Sequence, residues 1–286
     1  MDWEKVKRIF IWLLIGLNVG LFGANYISNR QYVMTSAQEK AIYEVLGANG
    51  IGMYTDLIKT TKPMRQLSVS MASLDTENFK SMFFREDEDV KITLEYAKTT
   101  LASKSKSLVI QDNGIEFLNP GGSGYIDTFT KETALKAADD FIKNVGMNTS
   151  QNIKLESVDY DDGKYVFEYN ERYKDYKLFI NSKKITVSQN GVIMASAAYY
   201  TVQNFAGDSR KICACDEALL TFLGEVKKEG KTDGVYIEKI ELGYDFQDAG
   251  DVADGSKLRL IPCYRIFISG SSEVYLINAY TNEMMN

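Results

Sequence analysis

The longest apolar segment lies near the start of the chain, where residues 9–27 read IFIWLLIGLNVGLFGANYI without a single charge. An α-helix rises about 1.5 Å per residue, so this segment matches a hydrocarbon core about 30 Å thick. The positions that follow are mostly polar or alternate between apolar and polar side chains. This pattern predicts one transmembrane helix over 9–28 that carries a large polar region.

A cleaved signal peptide is the alternative interpretation of this segment. Its apolar stretch is typically about 7–15 residues long and ends in a small-x-small cleavage site. The segment here is longer, and Phe22 stands two positions before Ala24, the nearest small residue. No cysteine follows the segment directly, which excludes a lipoprotein anchor. We therefore expect an anchor that stays attached.

Basic residues flank the predicted span unequally. Lys5, Lys7 and Arg8 precede it, whereas only Arg30 stands close on the other side. Because cytoplasmic flanks of membrane helices are enriched in Lys and Arg, this asymmetry predicts a cytoplasmic tail over 1–8 and an extracytoplasmic C-terminal region. The expected location is the cell membrane, crossed once.

Small and polar residues within the span indicate helix–helix contacts. Gly16, Gly20 and Ala24 recur every four residues, with Gly23 beside them and Asn18 near the middle. Small residues let two helix backbones approach closely, and an amide inside lipid seeks a partner on another helix. Glycine is also common in membrane helices in general. We interpret these five residues as a candidate transmembrane interface.

Beyond the span, the pattern predicts an N-terminal extracytoplasmic α+β region over 35–120. A capping box at Ser36 and Glu39 indicates a short amphipathic helix that ends near Gly47. Alternation and turn residues predict three further elements, which are strands over 64–72 and 90–97 and a hairpin over 108–118 with a type I′ turn at Asn113-Gly114. The segment Asn119–Gly124, which reads NPGGSG, is interpreted as a linker.

The second half of the chain is interpreted as a duplication. Thr130 caps a predicted helix that ends at Gly146, and 84 positions later Asp216 opens a similar helix that ends at Gly230. The strands expected to follow also correspond, in the pairs 153–160 with 237–244, 176–180 with 264–268 and 184–195 with 273–285. Each copy, over 128–206 and 210–286, is predicted to be one helix laid across an antiparallel sheet.

Composition limits the possible functions. The chain has 286 residues, a net charge of −6 and a pI of about 5.0, so it lacks the basic balance of a nucleic-acid binder. It contains no histidine, which excludes Ser-His-Asp and Cys-His catalysis and histidine-based zinc sites. Three cysteines, Cys213, Cys215 and Cys263, cannot all pair within one chain. Either a bridge to Cys263 or three unpaired thiols is compatible with their spacing.

No motif for catalysis, metal or cofactor binding stands out. Asp159, Asp161 and Asp162 before Gly163 match a hairpin turn better than a calcium loop, whose ligands follow a 12-residue schedule. The acidic run at 86–89 and the lysines Lys104 and Lys106 are interpreted as solvated turns. No Gly-Lys-Ser/Thr follows the Gly-rich segment 121–124, so a phosphate loop is unsupported. We expect no catalytic residues, no metal and no cofactor.

Several of these features together resemble the YycI (WalI) family. The resemblance rests on the opening Met1-Asp2-Trp3, the basic cluster, the span with Asn18 and the duplicated region. The ending is similar to the closing hairpin of that family and of PepSY-like modules, through Pro262-x-Tyr-Arg-Ile and 275–283. Asn282 stands where such modules usually have Gly, and Asn also tolerates a positive φ.

The resemblance implies a non-enzymatic function in Gram-positive bacteria. Members of that family are membrane-anchored regulators of the YycG/WalK two-component system in cell-wall homeostasis. They associate with the sensor histidine kinase and with a YycH-like partner. Two other classes remain open on the residues alone. One is a PepSY-like extracytoplasmic inhibitor or chaperone of a peptidase, and the other is an envelope enzyme that uses Asp, Glu, Ser or Tyr.

Overall fold

The computed structural model describes residues 3–86, 88–111, 113–147, 152–231, 234–247, 258–271 and 273–285. Met1 and Asp2, which begin the YycI-like motif, therefore lie outside the described residues. The helices of this part of the chain are α1 (Trp3–Arg30), α2 (Ser36–Ala48), α3 (Thr76–Phe83), α4 (Lys131–Asn144) and α5 (Cys215–Lys228).

The strands are mostly short and follow one another closely along the chain. In chain order they are β1 (Ile51–Met53), β2 (Met64–Met71), β3 (Lys91–Glu95), β4 (Lys98–Ala102), β5 (Ser107–Gln111), β6 (Gly114–Leu118), β7 (Ile153–Asp161), β8 (Lys164–Tyr173), β9 (Tyr176–Ser188), β10 (Gly191–Ala198), β11 (Tyr200–Arg210), β12 (Val235–Phe246), β13 (Leu258–Ile268), β14 (Val274–Asn278) and β15 (Glu283–Met284). The chain is thus α+β, with a large and mainly antiparallel sheet, as the sequence predicts.

The chain forms two compact units, and neither is a single stretch of sequence. Unit 1 consists of 1–65, 208–241 and 262–286, and unit 2 consists of 66–207 and 242–261. The predicted segment 128–206 lies wholly inside unit 2. The predicted segments 35–120 and 210–286 are each divided between the two units, because strand pairing rather than chain order decides which residues pack together.

Unit 2 is built on a long antiparallel ladder. Its strand order is β3-β4-β5-β6-β10-β9-β8-β7, in which every neighbouring pair runs antiparallel. Helix α4 lies against β8, β9 and β10. Buried apolar side chains from α3, α4 and these strands form one cluster, which includes Phe79, Phe83, Ala138, Ile142, Leu108, Phe117, Ile185 and Val187. Burial of this surface from water is the main stabilising contribution to unit 2.

Helix α4 confirms the predicted start and stop signals. Thr130 is its N-cap, with the Oγ1 atom accepting a hydrogen bond from the Thr133 amide at 3.3 Å. Gly146 follows the helix with a φ of +60°, the left-handed conformation that ends many helices. The apolar positions of α4 bury Ala134, Ala138 and Ile142. Local propensity and amphipathic pattern agree here, so the sequence alone places this helix.

Unit 1 contains α1, α2 and α5. Helix α2 contacts α5, and α5 also contacts β14 and β15, which continue an antiparallel meander from β13. The N-cap of α2 is Thr35, one residue before the predicted Ser36, and Gln38 completes the capping box. Glu39 forms an ion pair with Lys59 at 2.8 Å instead. The chain contains two overlapping S/T-x-x-E/Q patterns, Thr35 with Gln38 and Ser36 with Glu39. Because the helix uses the first pattern as its cap, Glu39 is available for the ion pair with Lys59.

Three predicted turns are confirmed or shifted by the structure. Asp162 and Gly163 have φ values of +46° and +70° and connect β7 to β8, and Asn282 has a φ of +59° before β15. Both results agree with the sequence. The hairpin of β5 and β6 pairs Gln111 with Gly114, so its turn lies one residue earlier than the predicted Asn113-Gly114. Residue 112 of that turn lies outside the described residues.

The proposed duplication is matched by the helices more closely than by the strands. Helices α4 and α5 each contain 14 residues and begin 84 positions apart. The predicted pair 176–180 and 264–268 falls in β9 and β13, which are the third and the second described strands after their helices. Among the described elements, this strand correspondence therefore differs from the order expected of a simple duplication.

The segment Asn119–Gly124 is packed inside unit 2 and does not link two units. The Gly124 amide donates to the Asn190 carbonyl at 3.0 Å, and the Val192 amide donates to the Ser123 hydroxyl at 2.9 Å. At Gly122 the φ is +77°, and a Cβ atom would collide with the backbone carbonyl of Asn190. Glycine is required here by the close approach of two turns.

The Gly122→Ala substitution should destabilise the protein by about 2–4 kcal/mol, because it adds both a positive-φ penalty and a backbone collision. The matched control is Gly121→Ala, since the nearest atom to its added Cβ is Asn119 Oδ1 at 3.9 Å. Urea unfolding of the full chain in mild detergent measures both. Equal stabilities of the two variants would contradict the packed-turn interpretation.

Candidate functional site

Helix α1 is long and apolar enough to cross a membrane. Its span, Trp3–Ala24, contains 22 residues with a mean hydropathy of 1.6, and none of it is buried inside the protein. Large apolar side chains such as Trp12 and Phe22 are 68% and 75% exposed. Exposure of this much apolar surface to water is costly, so the span needs lipid or another helix around it.

The five predicted interface residues do not share one face of this helix. Successive residues of an α-helix are rotated by about 100°, so positions two apart point nearly opposite ways. Gly16, Gly20, Gly23 and Ala24 therefore lie on one side of α1, and Asn18 lies on the other. The structure thus divides the predicted interface into a glycine face and an asparagine face.

The glycine face is open. A Cβ atom placed on Gly16, Gly20 or Gly23 would meet no atom within 4 Å. These glycines therefore serve no packing purpose inside the described chain. A groove of this kind lets a second helix approach closely, which is how small residues promote association in membranes.

The asparagine face carries one internal hydrogen bond. The Asn18 Nδ2 atom donates to the Leu14 carbonyl one turn earlier, at 2.8 Å. An amide has two N–H groups and an acceptor oxygen, so this bond satisfies only part of its capacity. In lipid the remaining groups are best satisfied by a polar group on a neighbouring helix.

Unit 1 also presents an exposed aromatic pair. Tyr54, which follows β1, stacks on Tyr236 of β12 with ring centroids 4.9 Å apart and an angle of 7° between the planes. Tyr54 is 69% exposed and Tyr236 is 42% exposed. A Cβ atom on Gly52 would collide with the Tyr236 ring, so glycine makes room for the stack. Rigid exposed tyrosines of this kind are enriched at protein interfaces.

Two of the three cysteines, Cys213 and Cys215, are poor nucleophiles. All three cysteines lie within the described residues, and none of them is in a disulfide. Burial is the main cause that raises the pKa of Cys213 to about 12 and that of Cys215 to about 11. Because the thiolate is the reactive form, these thiols stay unreactive at neutral pH. The Tyr264 hydroxyl donates to the Cys213 carbonyl at 2.9 Å, and burial raises its pKa too.

In unit 2, β9 buries a row of polar side chains along its length. Lys177, Asn181 and Lys183 are 6%, 1% and 1% exposed, and the pairing of β9 with β8 shifts register between Lys177 and Lys183. Both the nitrogen and the oxygen of the Asn181 side-chain amide form hydrogen bonds. Its Nδ2 atom donates to Glu171 at 2.8 Å and to the Tyr200 carbonyl at 2.7 Å, and its Oδ1 atom accepts from the Tyr200 amide at 2.8 Å.

Glu156 stands between two cations in this polar row. Its carboxylate lies 2.9 Å from an Arg172 guanidinium nitrogen and 3.1 Å from Lys177 Nζ. Burial alone would raise the pKa of Glu156, but the hydrogen bonds from Arg172 and Lys177 outweigh it and lower the pKa. The Glu156 carboxylate therefore stays ionised at neutral pH, and the two cations compensate its charge.

Lys183 is less well compensated. Its Nζ atom lies 5.6 Å from the ring of Tyr199, and the charge of Glu171 favours its protonated form. Burial lowers the pKa of Lys183, and Glu171 offsets only part of that effect. The Tyr199 hydroxyl is also buried without a hydrogen-bond partner among the described residues. This end of the polar row costs stability.

A cavity of about 570 Å³ lies near α3 and α4 of unit 2. Its wall includes Phe83, Phe117 and Phe141, whose rings contact one another with centroids 4.9–6.0 Å apart. At the rim Glu88 forms a half-buried ion pair with Lys106, so these two residues are not the solvated turns that the sequence suggested. Among the described residues, the cavity therefore has an apolar wall and a charged rim.

Sequence reasoning missed the polar row on β9. The sequence predicts strands over 176–180 and 184–195, but it carries no sign that two lysines and an asparagine of this segment are buried, because lysine and asparagine rarely are. Only the positions of Glu156, Glu171 and Arg172 on neighbouring strands reveal that charges can be accommodated there.

Replacement of Lys183 by methionine should stabilise the protein by about 1–2 kcal/mol at pH 7, because it removes a poorly compensated buried cation. The folded-state pKa of Lys183 lies below the usual 10.5, so the unfolded chain binds the proton more tightly. The free energy of unfolding of the unsubstituted protein therefore rises as the pH approaches about 10. The difference in this free energy between the unsubstituted protein and Lys183→Met then becomes smaller. Lys184→Met, at the exposed neighbouring position, should show neither effect in urea unfolding at several pH values.

No protein-family model matches the chain, and no curated protein is similar to it in sequence. A crystal structure of an uncharacterized protein from Eubacterium rectale matches with a TM-score of 0.53 and 13% identity, over 82% of this chain and 89% of that one. The Bacillus megaterium YpeB C-terminal domain matches with a TM-score of 0.40 and 15% identity, over 76% and 97%. At these identities, the likeness to the Eubacterium rectale protein shows a shared fold and nothing more.

Proposed function

We propose that this chain is a non-enzymatic, single-pass membrane regulator of a sensor histidine kinase of the YycG/WalK type. In this proposal, α1 contacts kinase transmembrane helices and the extracytoplasmic region contacts a YycH-like partner. The N-terminus is cytoplasmic and the C-terminal region extracytoplasmic. The observation that carries the proposal is α1 itself, a membrane-length helix with a face of small residues opposite a face that carries Asn18.

The two faces of α1 support a role in helix–helix contact. The glycines leave an open groove, and the opposite face offers an incompletely satisfied amide. An anchor that merely holds a domain at the membrane needs neither feature. With two faces, α1 can contact two helices at once, as a regulator placed between the subunits or helices of a kinase would.

A contact of this kind can change kinase output only if it differs between signalling states. A partner shifts a two-state equilibrium by the difference between its affinities for the two states. A change in the tilt or rotation of α1 would favour the state whose helices fit the glycine face better. The resemblance to YycI at the span and at the closing residues supports the choice of a histidine kinase as that partner.

Substitution of Gly20 by leucine should reduce co-purification of the kinase at least about fivefold, because the side chain fills the groove. Asn18→Leu should reduce it only about two- to threefold, since a hydrogen bond between membrane helices contributes about 0.6 kcal/mol on average. The measurement is pull-down of the kinase by the tagged full chain from solubilised membranes, with quantitative detection.

Ile15→Leu is the matched control, because it keeps an apolar side chain away from the glycine face. It should leave kinase recovery unchanged. Retention of the kinase by Gly20→Leu and Asn18→Leu, and by the chain without α1, would contradict a transmembrane contact. That outcome would favour binding through the extracytoplasmic region.

The stacked tyrosines of unit 1 are the proposed contact for the YycH-like partner. They are large, exposed and held in one orientation, so little entropy is lost when a partner covers them. Tyr54→Ala should reduce recovery of that partner about tenfold or more, with kinase recovery through α1 unchanged. Tyr125→Ala, at a tyrosine of unit 2 with similar exposure, is the control. Equal loss in both variants would refute this surface.

The second candidate is a PepSY-like extracytoplasmic inhibitor or chaperone of a peptidase. It is supported by helix α4, which the antiparallel strands β7 to β10 follow, by helix α5, which contacts the antiparallel strands β14 and β15, and by the PepSY-like ending. Under this candidate, binding of a peptidase would survive every substitution in α1. The kinase pull-down described above therefore separates the two functions.

A further inference from the structure

The outer edge of the ladder in unit 2 is a strand with every residue exposed. β3 comprises Lys91–Glu95, and among the described residues it pairs only with β4. Leu94 is 76% exposed and Ile92 is 36% exposed. Proteins usually protect such edges with charged side chains, proline or a bulge, because unpaired backbone groups invite another strand. β3 has no proline, its pairing with β4 is regular, and its two charged side chains, Lys91 and Glu95, have opposite signs.

The hairpin geometry fixes which backbone groups of β3 point outward. Glu95 pairs with Lys98 across the two-residue turn at Tyr96 and Ala97. A two-residue hairpin closes with a hydrogen-bonded pair, and such pairs alternate along an antiparallel ladder. The amides and carbonyls of Lys91, Thr93 and Glu95 therefore face β4. Those of Ile92 and Leu94 face away and need another partner.

The sequence of β3 is complementary to itself in the antiparallel direction. When two copies are aligned about Thr93, each Lys91 lies opposite a Glu95, and each Ile92 lies opposite a Leu94. The outward amides and carbonyls of Ile92 and Leu94 meet as hydrogen-bonded pairs in this register. One face of the joined strands then carries four aliphatic side chains, and the other carries two ion pairs around a central threonine pair.

We propose that two copies of this protein associate edge to edge through β3, in an antiparallel register centred on Thr93. The charges select this register, because a shift by two residues loses the opposition of Lys91 and Glu95. The contact is only five residues long, so the dimer is weak and reversible. This inference does not depend on the identity of the kinase or of any other partner.

Cysteine crosslinking of the full chain in membranes tests the register. Thr93→Cys should form a disulfide-linked dimer under mild oxidation, because the two positions face each other across the symmetry axis. Glu95→Cys should not exceed the background of the unsubstituted chain, since its two copies are about 13 Å apart along the strands. A mixture of Lys91→Cys and Glu95→Cys chains should crosslink, although neither does so alone.

Charge exchange provides an independent measurement with the Thr93→Cys reporter. Lys91→Glu or Glu95→Lys alone should reduce dimer yield about tenfold, because each creates two like-charged pairs. Co-expression of the two variants, or the double exchange in one chain, should restore the yield. These substitutions should leave the hairpin folded, because both residues are exposed.

Two outcomes would overturn the proposal. Equal crosslinking of Thr93→Cys and Glu95→Cys would indicate random collision or another register. Absence of a Thr93→Cys dimer, with crosslinking of that residue to a different protein, would show that the edge of β3 belongs to a heterologous strand. Neither outcome would affect the kinase pull-down, so failure here is distinguishable from failure of the proposed function.

Discussion

The need of α1 for an apolar environment is the constraint on which the rest of this protein depends. A 22-residue apolar span with no burial inside the chain is stable only where lipid or other helices cover it. All regular backbone groups inside the helix satisfy one another, so its side chains alone decide its neighbours. Those side chains form two different faces, one of small residues and one that carries Asn18.

Beyond the span, the two units handle polar groups in contrasting ways. In unit 2, the sheet buries Lys177, Asn181 and Lys183 along one strand and surrounds the first two with charged or amide partners. A buried polar row contributes little net stability. It does destabilise any other pairing register of the strands, because the buried polar groups would then lose their partners. In unit 1, burial keeps Cys213, Cys215 and Tyr264 neutral, and the buried side chain of Asn278 accepts hydrogen bonds from backbone amides.

Several elements could be predicted because local and long-range preferences agree. The cap at Thr130, the stop at Gly146, the turn at Asp162-Gly163 and the positive φ at Asn282 all follow from residues within a few positions of one another. Predictions failed where two local solutions had similar energies. Thr35 and Ser36 could both cap α2, and the turn between β5 and β6 moved by one residue to suit strand pairing.

The sequence by itself determined the membrane-length helix, the α+β class and the absence of histidine chemistry, because each depends on composition or on periodicity along the chain. Only the tertiary structure decided that Asn119–Gly124 is packed, that Glu88 meets Lys106, and that β9 hides two lysines. Each of these depends on a partner 15 or more residues away, or on a strand order that periodicity does not encode. The exposed edge of β3 belongs to the same class, since a strand becomes an edge only when the whole ladder has been arranged.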